Sequence, residues 1–253
     1  MRFLVAWLCL VLCGLARAQD VPNVAAAADL QFALDEIAAG FARETGRQVR
    51  ITYGSSGNFR RQIAQGAPYE LFLSADESYP LALAKEGRTR DRGVVYAVGR
   101  IALVAANDSP LVPDERFDGL RQALAAGRIS RFAIANPEFA PYGRAAREAL
   151  VHAGAWDSLQ GKLVLGDNVA QAAQYVLTAA VQGGIISLAH ARSAALAYRI
   201  RYALVPEDWH EPLRQRMVLM KNAGATATAF YDYLQQPGAR AILTRYGFGI
   251  LMP

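Results

Sequence analysis

The stretch that decides the fold is VAAAADLQFALDEIAAGFARETGRQVRITYGSSGNF, residues 24–59. An unbroken run of small apolar residues, Val24 to Ala28, leads into a segment whose Leu30, Leu34, Ile37 and Phe41 recur at helical spacing, with Gly46 suited to its end. QVRITYG then reads as a strand, and NFRRQIAQG as a second helix. This strand–helix–strand–helix order predicts an α/β fold.

The alternation continues along the chain. YELFLSAD, YAVGRIALVAAN, RFAIANP, KLVLGD, GGIISLA, YRIRYALVP and RQRMVLMKN read as strands, and YPLALAKEG, GLRQALAAG, GRAAREALVHAGAW and VAQAAQYVLTAAVQ as helices. ATATAFYDYLQQPGARAILTRYG closes the chain with helices. The pattern predicts mainly parallel sheets covered on both faces. With 253 residues, 53% of them hydrophobic, the chain is large enough for one big domain or two lobes. Two long apolar strands, near 96–105 and 214–220, are candidate crossovers. They would give lobe I from residues 19–99 and 216–253, and lobe II from 100–215. Ligands of such folds sit in the crevice beyond the carboxyl ends of the strands.

Residues 1–18 stand apart. Arg2, the apolar run FLVAWLCLVLCGLA and ARA before Gln19 fit a cleaved secretory signal peptide. The run is short for a membrane anchor. Cys9 and Cys13 both follow leucine, where a lipidation site wants a small residue. Both cysteines leave with the signal, so the mature chain is expected to carry no disulfide and no thiolate. Loss of Arg2 and Arg17 takes the formal charge from +5 to +3. That scattered excess does not describe a nucleic-acid-binding surface.

Four seams between a strand and a helix carry the candidate chemistry: AAAADLQ (25–31), YGSSGNF (53–59), ANPEFAPYGR (135–144) and LGDNVAQ (165–171). Each would leave backbone N–H groups at a helix start, with the helix dipole behind them, which suits an anion. Ser56 and Tyr142 add hydroxyl donors. Ordinary capping by Asp29, Ser56, Asn58 or Asn168 is the competing reading, as packing is for Tyr142 and Val169.

Enzymatic patterns are weak. A serine hydrolase would want G-x-S-x-G, but the run from Gly54 is G-S-S-G-N. His152, His190 and His210 are far apart and lack metal-ligand spacing, and no G-x-G-x-x-G or phosphate-loop pattern occurs. Asp35 and Glu36 read as a solvated helix face, as do Arg60 and Arg61.

The order AAADL, GSSG, QGAPYELFLSAD, NPEFAPYG, GAW, GDNVAQ, FYDYL and RYGF resembles the periplasmic molybdate-binding proteins of ABC transporters, over Val24 to Phe248. The resemblance implies a type II periplasmic-binding-protein fold with two α/β lobes and two crossover strands. It implies a non-enzymatic, monomeric periplasmic receptor, without a cofactor, that captures molybdate or tungstate and delivers it to a membrane permease. Carried over residue by residue, the anion contacts fall at Asp29, Ser56, Tyr142 and Val169, with Ala28, Asn168 and Ser187 beside them. Ser56 and Val169 would touch the oxygens of the oxyanion without ligating the metal directly. Ser187 stands where some members have tyrosine.

Asp29 is the departure, because the family has serine there. Two unit charges about 4 Å apart, at an effective dielectric near 20, repel by about 4 kcal/mol, and a dianion doubles this. Three arrangements avoid the cost. Asp29 turns away and caps its own helix, or it is protonated and donates a hydrogen bond. In the third, the ligand carries a proton that Asp29 accepts, which would make this a receptor for another, phosphate-like oxyanion. A secreted hydrolase built on Ser56 is the remaining alternative.

Overall fold

The computed structural model describes residues 20–250; the expected signal peptide lies outside them. Two five-stranded sheets form the frame. The first contains β1 (Asn23–Ala27), β2 (Arg50–Gly54), β3 (Leu71–Ser74), β4 (Val94–Gly99) and β10 (Leu213–Leu219), in the order β2-β1-β3-β10-β4. The second contains β5 (Ile101–Ala106), β6 (Phe132–Ala135), β7 (Leu163–Gly166), β8 (Gly183–Ser187) and β9 (Ile200–Leu204), in the order β7-β6-β8-β5-β9.

Both sheets are mixed rather than mainly parallel. Strands β2, β1 and β3 run parallel, as do β7, β6 and β8. Strand β10 is antiparallel to β3 and β4, and β5 is antiparallel to β8 and β9. Parallel neighbours need a crossover, normally a helix, to bring the chain back. Strands β4, β5, β9 and β10 instead lead the chain between lobes.

The helices are α1 (Gln31–Thr45), α2 (Ser56–Ala64), α3 (Ser78–Lys85), α4 (Asp118–Ala125), α5 (Pro141–His152), α6 (Val169–Leu177), α7 (Leu188–Ala191), α8 (Ala225–Tyr233) and α9 (Pro237–Arg245). In the first lobe, alternation along the strands feeds two cores. Val24, Ala26, Leu71, Leu73, Met217 and Leu219 pack with Leu30, Leu34, Ile37 and Phe41 on one face. Ala25, Phe72 and Val218 pack with Phe59, Ile63 and Leu83 on the other. Burial of every residue from Val24 to Ala28 explains why this strand lacks polar alternation. Helix α1 ends as read, with Gly46 left-handed at φ 69°. The second lobe has one core, built around Leu103, Phe117, Phe132, Ile134 and Ile186, and it reaches across to Ala27, Ala28 and Ala75 of the first.

The long apolar stretch after residue 96 is broken at Arg100, so a single residue links β4 to β5. The return runs through residues 205–212. Arg100 ties the two links together by pairing with Glu207 and donating to the Val205 carbonyl. Strand β10 then lies wholly within the first sheet, with Leu213 opposite Gly99 and Gln215 opposite Ala97.

The lobes are closed on each other. The Gly57 N–H, in the first turn of α2, donates to the Phe139 carbonyl of the second lobe at 3.0 Å. Arg144 on α5 pairs with Asp76 and donates to the Tyr79 hydroxyl at 2.8 Å. A Cβ at position 57 would lie 2.6 Å from the Phe139 oxygen and 3.1 Å from its Cα. Gly57→Ala should therefore leave both lobes folded, with unchanged far-UV circular dichroism, but hold them apart. Small-angle X-ray scattering should show a larger radius of gyration than for the parent, and an unchanged radius would contradict this closure.

Candidate functional site

The seams read from the sequence converge at the junction of the lobes. One small cavity is lined by Ala27, Ala28 and Asp29 after β1, by Gly54, Ser55 and Ser56 after β2, and by Ala75 after β3. The second lobe adds Ala140, Pro141 and Tyr142 before and within α5, and Asn168 and Val169 at the start of α6. Its volume is about 10 Å³, counted as the space open to the centre of a water-sized sphere, roughly one water position. No lysine, arginine or histidine lines it.

Helix starts supply the donors. Asn168 caps α6, its side-chain oxygen accepting from the Ala170 and Gln171 N–H groups at 3.0 and 3.1 Å. The cap takes the second and third amides of the helix and leaves the Val169 N–H outside its reach. Pro141 opens α5, so Tyr142 carries that helix's first available N–H. At the start of α2, neither serine caps the helix with its side chain. The Ser56 hydroxyl oxygen accepts from the Ala75 N–H at 2.9 Å, which fixes its position while leaving its own hydrogen to donate. Ser55 is buried, and its hydroxyl has no partner among the described residues.

Asp29 does not cap a helix. It sits in a short 3-10 turn, Ala28–Leu30, ahead of α1, without a side-chain capping bond. The residue is 1% exposed. Oδ2 accepts from the Tyr142 hydroxyl at 2.9 Å and from Gln215 Nε2 at 2.6 Å. Gln215 Nε2 also lies 3.2 Å from the Tyr142 oxygen, and the Gln215 carbonyl accepts from the Tyr96 hydroxyl at 2.7 Å. Oδ1 is buried without a partner among the described residues.

Loss of water raises the Asp29 pKa from an ordinary 3.8 to about 6, and hydrogen bonds from Gln215, from Tyr142 and from its own backbone N–H offset only part of the rise. Burial, aided by the nearby Asp29, pushes the Tyr142 phenol well above its usual range, and the same causes act on Tyr96. Burial shifts all three groups toward their neutral forms, and with a pKa of about 6 Asp29 ionises close to neutral pH.

Of the residues read from the sequence, Ala28, Asp29, Ser56, Tyr142, Asn168 and Val169 line the cavity, and Ser187 does not. Ser187 caps α7 instead: its hydroxyl oxygen accepts from the His190 N–H at 3.2 Å and lies 2.7 Å from His190 Nδ1. Gln215 and Tyr96 were missed. A signal for Gln215 was present in LRQRMVL, where period-two spacing places it on one face with Leu213, Met217 and Leu219. None of the three histidines hydrogen-bonds Ser56 among the described residues: His152 stacks on Trp209, His190 is tied to Ser187 and His210 lies against the Glu211 carbonyl.

The profile of the family described as bacterial extracellular solute-binding protein matches residues 22–249. The chain belongs to that family. It is 34% identical over 238 residues to the molybdate-binding protein ModA of Azotobacter vinelandii, covering 93% of this chain and 92% of the relative. Against ModA of Rhodobacter capsulatus, identity is 35% over 242 residues, covering 93% and 91%. The solved structure of the Azotobacter vinelandii periplasmic molybdate-binding protein superposes with a TM-score of 0.82 at 33% identity, covering 92% of this chain and 99% of that one. The two-lobed type II binding-protein fold expected from the resemblance is the fold observed.

The buried acid has a consequence for stability. Asp29 binds its proton more tightly in the folded protein than in the unfolded chain, where its pKa is near 3.8. Its contribution is therefore fully present below about pH 4 and is lost as pH rises through about 6. The shift corresponds to about 3 kcal/mol. Urea unfolding of anion-free protein should show Asp29→Asn gaining on the parent by up to about 3 kcal/mol between pH 4 and 7. A difference that stays constant over that range would contradict the burial described here.

Proposed function

We propose that this protein is a periplasmic receptor that captures molybdate or tungstate between its lobes and hands it to an ABC permease. The signal peptide at residues 1–18 would deliver it there, where it acts as a monomer without catalysis or a cofactor. The observation that carries the reading is the cavity itself: helix starts from both lobes face a space lined by no cationic side chain. Neutral donors held by the fold suit a compact dianion that must shed its water. The relatives named molybdate-binding proteins support the choice of anion.

The roles follow from the local geometry. Ser56 donates its hydroxyl hydrogen, held by Ala75. The Val169 and Tyr142 N–H groups donate from the second lobe, and the turn at Ala28 and Asp29 donates from the first. Asn168 shapes the start of α6 and leaves Val169 available. Molybdate and sulfate carry the same charge, so the size of the closed cavity separates them. A phosphate-like anion bearing its own proton is the second reading, favoured by one observation, that an acid, Asp29, is among the residues lining the cavity.

Calorimetric titration of the protein with molybdate, tungstate, sulfate and phosphate tests the proposal. Heat and one-to-one binding are expected with molybdate and tungstate. Binding of phosphate without molybdate would overturn it. Ser56→Ala should weaken molybdate binding by about 1–3 kcal/mol, because it removes a donor and strands the Ala75 N–H. That range corresponds to roughly 5- to 150-fold in Kd.

A further inference from the structure

The hydrogens around Asp29 run one way. Tyr96 donates to the Gln215 carbonyl, Gln215 Nε2 donates to Asp29 Oδ2, and the Tyr142 hydroxyl donates to the same oxygen. Oδ2 thus receives two hydrogen bonds, while Oδ1 of the same buried group receives none. A buried carboxyl oxygen left in this way is either a costly acceptor without a donor or the oxygen that holds a proton and awaits an acceptor.

The surroundings separate these two states. Asp29 is faced by Tyr142 from α5, by Tyr96 from β4 and by Gln215 from β10, and the start of α6 beside it presents Asn168 and Val169. On β2, Tyr53 is engaged with Asp35. On α7, His190 is held by Ser187, and burial drops its pKa to about 4, so it is uncharged. No lysine, arginine or histidine lines the cavity, and Arg144 and Arg100 pair with Asp76 and Glu207. An ionised Asp29 would have no opposite charge to lean on, and a dianion arriving beside it would be repelled.

We propose that Asp29 is a proton-bearing ligand of the captured anion, carrying its proton on Oδ1 in the loaded site and donating it to an oxyanion oxygen. This rests on the oxyanion-receptor reading and deepens it. Whenever the empty site is ionised, capture takes up one proton from solvent: the carboxylate becomes the acid as the anion arrives. The arrangement also sets specificity. An anion with four bare oxygens meets only donors, whereas an anion that brings its own hydroxyl places a hydrogen among them.

The empty site's pKa of about 6 places the consequence at neutral pH and above. Molybdate affinity should be flat below about pH 6 and fall by about tenfold per pH unit above it, the slope for one linked proton.

The test is calorimetric titration of the protein with sodium molybdate at pH 7.5, in buffers of different ionisation enthalpy, together with Kd measured from pH 5 to 9. Uptake of close to one proton per anion and the stated slope are expected in the parent. In Asp29→Asn, checked for folding by circular dichroism, both the uptake and the slope should vanish. Molybdate binding by the parent without proton exchange, at an affinity independent of pH, would overturn the proton-bearing role while leaving the receptor reading in place. Absence of binding by any tetrahedral oxyanion would overturn both.

Discussion

A carboxyl group stripped of water at the meeting point of two lobes sets the terms for the site around it. Asp29 lies where β1 ends, in the wall of the cavity, and its partners come from elements far apart in sequence: Tyr142 on α5 and Gln215 on β10. Tyr142 reaches it only when the second lobe is closed on the first. The bond between them therefore reports closure as well as charge. A Cβ at Gly99 would lie 2.2 Å from the Tyr142 oxygen and 2.9 Å from Gln215 Nε2, so the last residue of β4 has to be bare for this cluster to assemble.

The fold separates the charged from the uncharged parts of the cleft. A larger cavity of about 520 Å³ shares Ala75 and Pro141 with the small one and is lined by Asp76, Glu77, Arg144, Glu148, Glu211 and Arg214. Arg144 pairs with Asp76 across the junction, and Arg214 pairs with Glu77 within the first lobe. Inside, the groups proposed as donors are the Ser56 hydroxyl and backbone amides at the starts of helices and at the turn after β1. Such groups stabilise negative charge without bringing a counter-charge that would also attract unrelated anions. The single-residue link at Arg100, tied to Val205 and Glu207, holds the two chain connections between the lobes side by side.

Much of this was legible in the sequence because the deciding features are local. The apolar run of β1 and the helical spacing of α1 each depend on a few neighbouring residues and appear as read, while the helix after Gly54 starts two residues earlier than its sequence pattern suggested, with Ser55 at its N-cap and Ser56 and Gly57 in its first turn. Asn168 as a cap was also a local matter. The features that escaped depend on distance. Strand direction within a sheet is set by where the chain goes between strands, so the antiparallel pairing of β4, β5, β9 and β10 was not visible in their apolar patterns. Gln215 and Tyr96 join Asp29 from far along the chain, and each alone looks like an ordinary strand residue. Capping was a sound local expectation for Asp29, but long-range donors hold its side chain instead. Ser187 followed the order of the family motifs, yet its hydroxyl serves a short helix and not the cavity.

The account turns on the charge of Asp29 when an anion is in place. The most direct measurement is the ¹³C carboxyl chemical shift of Asp29, assigned by comparison with Asp29→Asn and followed from pH 5 to 8 in protein saturated with molybdate. The shift should stay at the value of a protonated acid beyond the pH at which the empty site ionises, about 6. A carboxylate shift at neutral pH, with molybdate bound, would contradict it.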